Sequence, residues 1–417
     1  MVREWPVQSI MECISTEKYA TQIGPFGSAL KVEDYRPTGV PLLRGVNVNR
    51  GRFHDDDFVF IDPDVATALH KYKAGPGDVI LVHRGTLGKI GLIPREPRFP
   101  SYIMGNSMLR IRCDAEKLLP EFLYYWLTST EGQHFITSRA VQVGVPALPT
   151  PLRTLRELSL PIPSLEEQTQ IVETLGALDD KIEVNRRMNA TLEAMAQAVF
   201  KEWFVDGGRS SFSEGGKAEE GWEERTIAEL ADLNDWTLGK GDDLDVIDYI
   251  EISEVDRGNI NTVQRYMRGE EPSRARRRLR HGDTALSTVR PDRGCYFLAM
   301  HPSASMVAST GFAVVTPKAA PWSFIHAALT QPEVSTYLGQ HADGGAYPAI
   351  RPEIIGAYTV PWPTDEGMLD KFHEIVAPLY ERAHHNREES RTLTALRDTL
   401  LPKLMRGEVR VKQTVVS

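Results

Sequence analysis

Residues 160–182 read LPIPSLEEQTQIVETLGALDDKI and determine the fold of this 417-residue chain. The Pro-x-Pro segment stops an apolar run, and Ser164 with Glu167 three positions later has the pattern of a helix capping box. From Ile171 onward, apolar side chains recur at alternating spacings of four and three, as they do in a coiled-coil seam. The stretch therefore predicts a long helix from Ser164 to about Phe204.

The same arrangement recurs near the end of the chain. Pro361 and Pro363 precede a second seam, which predicts a helix from about Thr364 to Met405 with a kink or break at Pro378 or Pro402. The predicted seam residues of the two helices are Ile171, Leu175, Leu178, Ile182, Asn185, Leu192, Val199, Phe372, Ile375, Asn386, Leu393, Leu396 and Leu400.

Two polar seam positions, Asn185 and Asn386, are equivalent in the two helices. In an antiparallel pair they would meet near the centre, where a buried polar residue fixes the register. The alternative is that both side chains face solvent.

The whole chain is a tandem duplication. Gly77-Asp78-Val79 is repeated as Gly282-Asp283-Thr284, and residues 160–163 (LPIP) are repeated as residues 360–363 (VPWP), with an offset that falls from about 205 to 200. Each half begins with short apolar runs separated by Gly and Pro turns, which predict a β-rich domain. The predicted fold class is α+β: two β-rich target-recognition domains in a pseudo-twofold tandem repeat, separated by two long antiparallel coiled-coil helices.

The repeat predicts five segments. Residues 1–160 form the first β-rich domain and residues 161–206 the central helix. A Gly-rich and polar stretch, residues 207–220, is typical of a linker. Residues 221–363 form the second β-rich domain, and residues 364–410 form the C-terminal helix.

The central helix and several short segments resemble the DNA-specificity subunits of type I restriction-modification systems. The most specific piece is residues 160–182 together with FKEWF at 200–204; the shorter pieces are IGPFGS at 23–28, GTLGK at 85–89 and LLPKLMRGE at 400–408. The second half departs from the family pattern at residues 290–294 and 366–368, so the carry-over of individual residues there is weaker.

The resemblance implies a function and a set of partners. Each β-rich domain would read one part of a split, asymmetric site in double-stranded DNA, while the helices dock two adenine-N6 methyltransferase subunits. Restriction and motor subunits would complete the complex, which serves DNA methylation and phage defence. The chain itself would need no cofactor, whereas its partners would use S-adenosylmethionine, and ATP with Mg²⁺. The alternatives are a coiled-coil scaffold that binds proteins, and a specificity factor of a related phage-defence complex without methylation.

Composition agrees with a cytoplasmic protein that is not an enzyme. The three cysteines are far apart, which argues against a disulfide framework, and no apolar run is long enough to span a bilayer. The net charge is −9, but residues 21–155 carry about +3, so that DNA binding through a basic face is compatible with the total. No phosphate-binding loop or adenine-methyltransferase motif occurs.

Two clusters could suggest metal chemistry, but each has a simpler interpretation. His384 and His385 are adjacent on a predicted helix, where their side chains diverge toward solvent. Residues 55–57 (DDD) favour a turn or a strand edge. The sequence therefore predicts neither a catalytic nor a metal site.

Candidate DNA-binding residues are cations and amides near Gly- or Pro-bounded turns, since cations contact phosphates and forked donors read base edges. Solvated loop positions are the alternative for the candidates in the first half. The arginines between 274 and 280 form the densest basic run of the chain and are expected to contact phosphates, with a solvated helix face as the alternative. For Tyr347 the alternative is a packed turn. The candidates are Arg44, Arg84, Thr86, Lys89, Arg139, Gln142, Arg274, Arg276, Arg277, Arg278, Arg290, Arg293 and Tyr347.

Overall fold

A computed structural model describes residues 5–26, 29–49, 52–141, 144–206, 221–365 and 367–410. The chain forms two compact units. Unit 1 comprises Met1–Ile182 and Arg391–Ser417, and unit 2 comprises Glu183–Ser390. This division cuts through both long helices, so each helix begins in one unit and ends in the other. The five segments proposed from the sequence instead kept each helix whole.

Unit 1 is built from short strands and short helices, followed by a long helix. Its strands are β1 (Val7–Ser9), β2 (Thr21–Ile23), β3 (Tyr35–Arg36), β4 (Val40–Leu43), β5 (Val48–Asn49), β6 (Arg52–Phe53), β7 (Val59–Ile61), β8 (Lys73–Ala74), β9 (Val79–Val82), β10 (Ile90–Leu92), β11 (Tyr102–Met104), β12 (Met108–Ile111) and β13 (Ser159–Pro161). Its helices are α1 (Pro63–Ala68), α2 (Pro120–Thr128), α3 (Thr130–Thr137), α4 (Pro151–Arg156) and the first half of α5 (Leu165–Phe200).

Unit 1 contains two larger sheets, and strand β9 of the first lies between two hydrophobic cores. One has the order β10-β9-β12-β2, and the other has the order β3-β7-β4-β11-β8, in which β4 and β11 run parallel. All four residues of β9 are buried because they alternate between two cores. Val79 and Leu81 pack with α2, whereas Ile80 and Val82 pack with the residues of β4 and β11.

Unit 2 repeats these elements. Its strands are β14 (Trp222–Thr226), β15 (Ala231–Leu233), β16 (Val246–Ile250), β17 (Val255–Asp256), β18 (Asn259–Ile260), β19 (Gln264–Met267), β20 (Ala275–Arg278), β21 (Thr284–Ser287), β22 (Tyr296–Leu298), β23 (Met306–Ser309), β24 (Phe312–Pro317) and β25 (Thr359–Pro363). Its helices are α6 (Ile227–Leu230), α7 (Trp322–Leu329), α8 (Pro332–Gln340), α9 (Pro352–Gly356), the end of α5 and the first part of α10 (Gly367–Met405).

Sheet topology confirms the duplication. The order β22-β21-β24-β15 in unit 2 corresponds to β10-β9-β12-β2 in unit 1, and β19-β16-β23-β20 corresponds to β7-β4-β11-β8. The parallel pair β16–β23 corresponds to the parallel pair β4–β11. The α+β fold class predicted from the sequence is correct.

Within each unit, α5 and α10 run antiparallel. In unit 2, Asn185 and Asn386 are both buried, and the Asn185 side-chain amide donates to the Asn386 carbonyl oxygen (3.3 Å). The Asn386 amide in turn donates to Asn189 Oδ1 (2.8 Å). In unit 1, the Arg397 guanidinium donates to the Asp179 carboxylate (2.8 Å). The polar centre of the predicted seam is therefore a hydrogen-bonded network in the structure.

Two predicted seam residues do not lie in the seam. Ile375 and Leu396 are 47% and 46% exposed. The buried face at the start of α10 passes through Phe372 and Val376, one residue away from the predicted spacing, because this turn packs on the core of unit 2 rather than on α5 alone. The helix also continues without a break through Pro378, which is exposed.

A buried acid precedes the central strand in each unit. Asp78 is fully buried and accepts two hydrogen bonds from the Arg112 guanidinium (2.7 and 2.8 Å). The equivalent Asp283 is 1% exposed, but Thr316 occupies the position of Arg112, as the strand registers show. Burial raises the pKa of Asp283 to about 6, although the Arg280 backbone N–H donates to it (2.7 Å).

Candidate nucleic-acid interface

Four loop segments of unit 1 meet at one end of its sheets. The parallel strands β4 and β11 end side by side, and the Gly105 N–H donates to the Leu43 carbonyl oxygen (2.9 Å). Beyond β9, the His83 N–H donates to the Ser107 carbonyl oxygen (2.8 Å), and the Gly85 N–H to that of Pro146 (2.8 Å). We call this region, residues 44–45, 83–86, 105–107 and 146–147, loop edge 1.

The side chains of loop edge 1 include an exposed cation. Arg84 and Thr86 are both exposed, and no ion pair involves Arg84 in the part of unit 1 that the structure describes. Gly85 between them has φ +86°, a conformation that favours glycine. Arg44 is half-buried; its guanidinium donates to the Asp57 carbonyl oxygen (2.8 Å) and lies 3.8 Å from the Asp57 carboxylate. Loop edge 1 therefore exposes Arg84 and Thr86 to solvent, beside Arg44, whose charge Asp57 partly neutralises.

The other candidates in unit 1 have different surroundings. Lys89 lines a cavity of about 340 Å³ together with Asp179 and Arg397 of the long helices. The Arg139 guanidinium lies 4.0 Å from the Phe135 ring centroid and 3.8 Å from the Glu157 carboxylate. The structure thus does not bring Lys89 together with Arg84, and Gln142 lies outside the described residues.

The equivalent loops of unit 2 also meet. After β21, the Thr288 N–H donates to the Gly311 carbonyl oxygen (2.8 Å), and the Arg290 N–H donates to that of Pro348 (2.7 Å). The Arg274 carbonyl oxygen accepts from the Thr310 N–H (2.8 Å). We call this region, residues 274, 288–293, 309–311 and 346–349, loop edge 2.

The main feature of loop edge 2 is a stack between half-buried Arg290 and exposed Tyr347. The Arg290 guanidinium lies 4.5 Å from the Tyr347 ring centroid and donates to the Ala346 carbonyl oxygen (2.7 Å). Tyr347 is 72% exposed, so it is not a packed turn residue. Arg290 has φ +48°, and it occupies the position of Gly85 because both N–H groups donate to an equivalent proline. Arg293 is exposed nearby.

The basic run before β21 lies on a strand, β20, and its arginines have different partners. The Arg278 guanidinium pairs with Asp242, which neutralises its charge, and lies 4.1 Å from the Trp236 ring centroid. Arg276 lies 3.6 Å from the Glu271 carboxylate. Arg277 is half-buried and has no acidic partner among the described residues; burial lowers its pKa. Arg274 is exposed.

Phosphate contact by this basic run stays a prediction, but its arginines differ in their surroundings. Arg278 is mostly buried and paired with Asp242, which makes it a weaker candidate, and Glu271 partly neutralises Arg276. Sequence reasoning also missed the β11–β12 turn, where the Ser107 carbonyl oxygen accepts from the N–H of His83, the residue before Arg84. The tandem repeat was the available signal, because the equivalent turn of unit 2, Thr310 and Gly311, meets Thr288 in the same way.

In the described part of the chain, every helix is too short or too polar to cross a bilayer.

Comparisons with known proteins connect this arrangement to a family. Residues 48–194 match the family model of the type I restriction modification DNA specificity domain. The HindI specificity subunit of Haemophilus influenzae is 26% identical over 383 residues, which cover 74% of this chain and 82% of that protein.

Two further similarities cover most of the chain. The MjaIX specificity subunit of Methanocaldococcus jannaschii is 22% identical, covering 81% of this chain and 78% of that protein. The crystal structure of a type I restriction-modification S subunit from M. genitalium superposes with a TM-score of 0.53 at 17% identity, covering 98% of this chain and 97% of that one. This last similarity concerns the fold.

Proposed function

Because the chain carries a type I restriction-modification DNA specificity domain, we propose that it is the subunit that selects the DNA sequence for such a complex. Each unit reads one part of a bipartite, asymmetric site in double-stranded DNA. The observation that carries this proposal is the repetition of one loop edge in both units. Arg84 is exposed in one, and half-buried Arg290 stacks on exposed Tyr347 in the other.

The chemistry of the loop edges suits DNA. Arginines without an acidic partner attract phosphates. In this role we place Arg84 and Arg274 of the loop edges, together with half-buried Arg277 of β20. A guanidinium can donate to both acceptors of guanine in the major groove, and we assign this role to Arg290, whose guanidinium lies 4.5 Å from the Tyr347 ring centroid. The Thr86 hydroxyl can donate to or accept from a base edge.

The long helices provide a surface for partner subunits. Val184, Met188 and Met195 are exposed on α5, and their spacing of four and seven places them on one helical face. An exposed apolar face of this kind is typical of a protein interface. We assign it to adenine-N6 methyltransferase subunits, two per complex, with restriction and motor subunits completing the assembly.

The catalytic steps belong to those partners. In this proposal the chain is not an enzyme and holds no cofactor for catalysis, whereas the partners use S-adenosylmethionine, and ATP with Mg²⁺. The complex acts in the cytoplasm, where the free thiols of Cys13, Cys113 and Cys295 remain reduced.

Genome-wide mapping of N6-methyladenine tests this function. Cells that carry this chain with the neighbouring methyltransferase gene are compared with cells that lack only this chain. We expect a methylated motif of two short parts around a fixed gap, present only with the chain. If the maps are identical but the chain binds duplex DNA specifically, it serves a defence complex without methylation. If it binds no duplex at all, the DNA-recognition proposal is wrong and a protein-binding scaffold replaces it.

Arg277→Ala should weaken DNA binding and reduce its dependence on salt. Because each neutralised phosphate contributes about 0.9 to the slope of log affinity against log salt, we expect the slope to fall by about that amount. The measurement is fluorescence anisotropy of a labelled duplex between low and moderate salt. Arg265→Ala is the matched control, since it removes the same charge from an arginine that Asp248 neutralises (2.7 and 3.1 Å). An Arg277→Ala slope equal to that of the wild type would remove Arg277 from the interface.

A further inference from the structure

Three potential metal ligands meet on the surface of unit 2. His281 precedes β21, His301 follows β22, and Glu381 lies on α10. Their ligand atoms all lie within 4.8 Å of one another, and His301 Nε2 is 3.2 Å from Glu381 Oε2. The His281 and His301 rings are stacked with centroids 4.4 Å apart. His384, one helical turn after Glu381, has its ring 5.9 Å from that of His301.

We propose that His281, His301 and Glu381 bind a divalent transition metal ion such as Zn²⁺, with His384 close enough to become a fourth ligand. Two imidazoles and one carboxylate are a donor set that Zn²⁺, Co²⁺ and Ni²⁺ accept, whereas Mg²⁺ and Ca²⁺ prefer oxygen ligands alone. The ion would connect the β-rich part of unit 2 to α10. The proposal does not depend on DNA recognition.

The backbone around the two histidines holds them in place. His301 has φ +46° directly before Pro302, a conformation that non-glycine residues rarely adopt and that often marks functional positions. Gly282 lets the adjacent turn lie against Trp322, because a Cβ at this position would come within 2.6 Å of the Trp322 Cβ. His281 and His301 therefore face each other before any ion binds.

The electrostatic surroundings also suit a cation. The His301 N–H donates to His281 Nδ1 across a long 3.3 Å contact, which a metal ion could replace. Glu381 pairs with His301, not with a lysine or arginine, among the described residues.

Unit 1 lacks the equivalent ligands. The Gly77 N–H donates to the Ile93 carbonyl oxygen as the Gly282 N–H does to that of Ala299, which makes Pro76 and Arg95 the counterparts of His281 and His301. Arg95 pairs with Glu121 (2.9 Å). The proposal therefore predicts one ion per chain, although the fold is duplicated.

Zn²⁺ titration of the chelator-treated full-length chain tests the site by calorimetry. We expect one saturable site per chain and a melting temperature that rises with Zn²⁺. His301→Ala and Glu381→Gln should each weaken binding at least tenfold. His341→Ala is the matched control: this exposed histidine of unit 2 lies outside the cluster, with Nδ1 2.8 Å from the Tyr337 carbonyl oxygen, and its loss should change nothing.

Co²⁺ provides a second measurement that needs no variant. Co²⁺ bound by imidazole and carboxylate ligands gives visible d–d bands, which Zn²⁺ should abolish by displacement. Because the Trp322 ring lies 5.7 Å from that of His281, bound Co²⁺ should also quench its fluorescence, and Trp322→Phe should lose that part of the quenching. The absence of saturable Zn²⁺ binding, or binding that Glu381→Gln leaves unchanged, would overturn the proposal.

Discussion

Asp78→Asn should destabilise unit 1 by about 3 kcal/mol, because it removes the buried carboxylate that accepts two hydrogen bonds from Arg112 and leaves that guanidinium with only the more exposed Glu17 among the described acids. The equivalent change, Asp283→Asn, should stabilise unit 2 at pH 7.5. Asp283 is buried, no guanidinium of the described residues donates to it, and an asparagine oxygen can still accept the hydrogen bond from the Arg280 N–H. The same substitution is thus expected to have opposite signs in the two copies of one fold.

The pH dependence of unit 2 follows from the raised pKa of Asp283. Its pKa is about 6 in the folded chain, compared with about 3.9 in an unfolded chain. Between these values the folded state binds more protons, so the contribution of Asp283 to stability is largest below pH 4 and is lost as the pH rises to 6. The loss is on the order of 1–3 kcal/mol, and Asp283→Asn should remove it.

Hydrogen exchange resolves the two units in the intact chain. Protection is measured in urea for peptides that contain β9 and β12 in unit 1, and β21 and β24 in unit 2, at pH 5 and pH 7.5 with correction for intrinsic exchange rates. Each variant serves as the control for the other. Destabilisation of both units at pH 7.5 would contradict the assignment of Asp283 as a buried acid without a compensating cation.

Arg290→Gly should weaken binding to the recognised DNA sequence by roughly 10- to 100-fold, which is the discrimination of one bidentate base contact. Glycine suits the backbone here, because Arg290 has φ +48° and Gly85 occupies the equivalent position in unit 1. The variant therefore removes the side chain without straining the turn. We expect specificity to relax at one base pair, within the part of the site that unit 2 reads.

Competition binding with duplexes substituted at single positions measures this effect. Tyr347→Phe is the control, since it keeps the ring beneath the Arg290 guanidinium and should retain most of the affinity. If Arg290→Gly binds every duplex as the wild type does, the stack does not contact DNA. If it weakens binding equally on all sequences, Arg290 contacts phosphate rather than a base.

The long helices were predictable because helix formation and heptad spacing are local in sequence. The prediction from Ser164 to about Phe204 compares with a helix Leu165–Phe200 followed by a π-helical turn to Asp206. The exposure of Ile375 was not predictable, because the buried face of this turn is determined by the core of unit 2. The spacing of apolar residues within one helix contains no information about that core.

Contacts between side chains that are far apart in the sequence could not be predicted from the sequence pattern either. Arg276, Arg277 and Arg278 are consecutive, but the fold gives them different partners. Asp242 pairs with Arg278 and Glu271 lies near Arg276, whereas Arg277 has no acidic partner among the described residues. In the same way, the sequence drew attention to His384 and its neighbour, whereas the fold assembles His281, His301 and Glu381 from three separate segments. A repeat predicts equivalent backbones, not equivalent partners.

Near its two ends the described chain packs on itself within unit 1, where a Cβ on Gly407 would lie 3.3 Å from the Trp5 ring. Two segments that lie this close can be joined by a short linker, as in circular permutation. Joining them with a short linker and opening the chain between residues 206 and 221 would exchange the order of the two repeats. The contacts described above would keep their partners, so the order in which the halves are encoded is separable from the fold that they form.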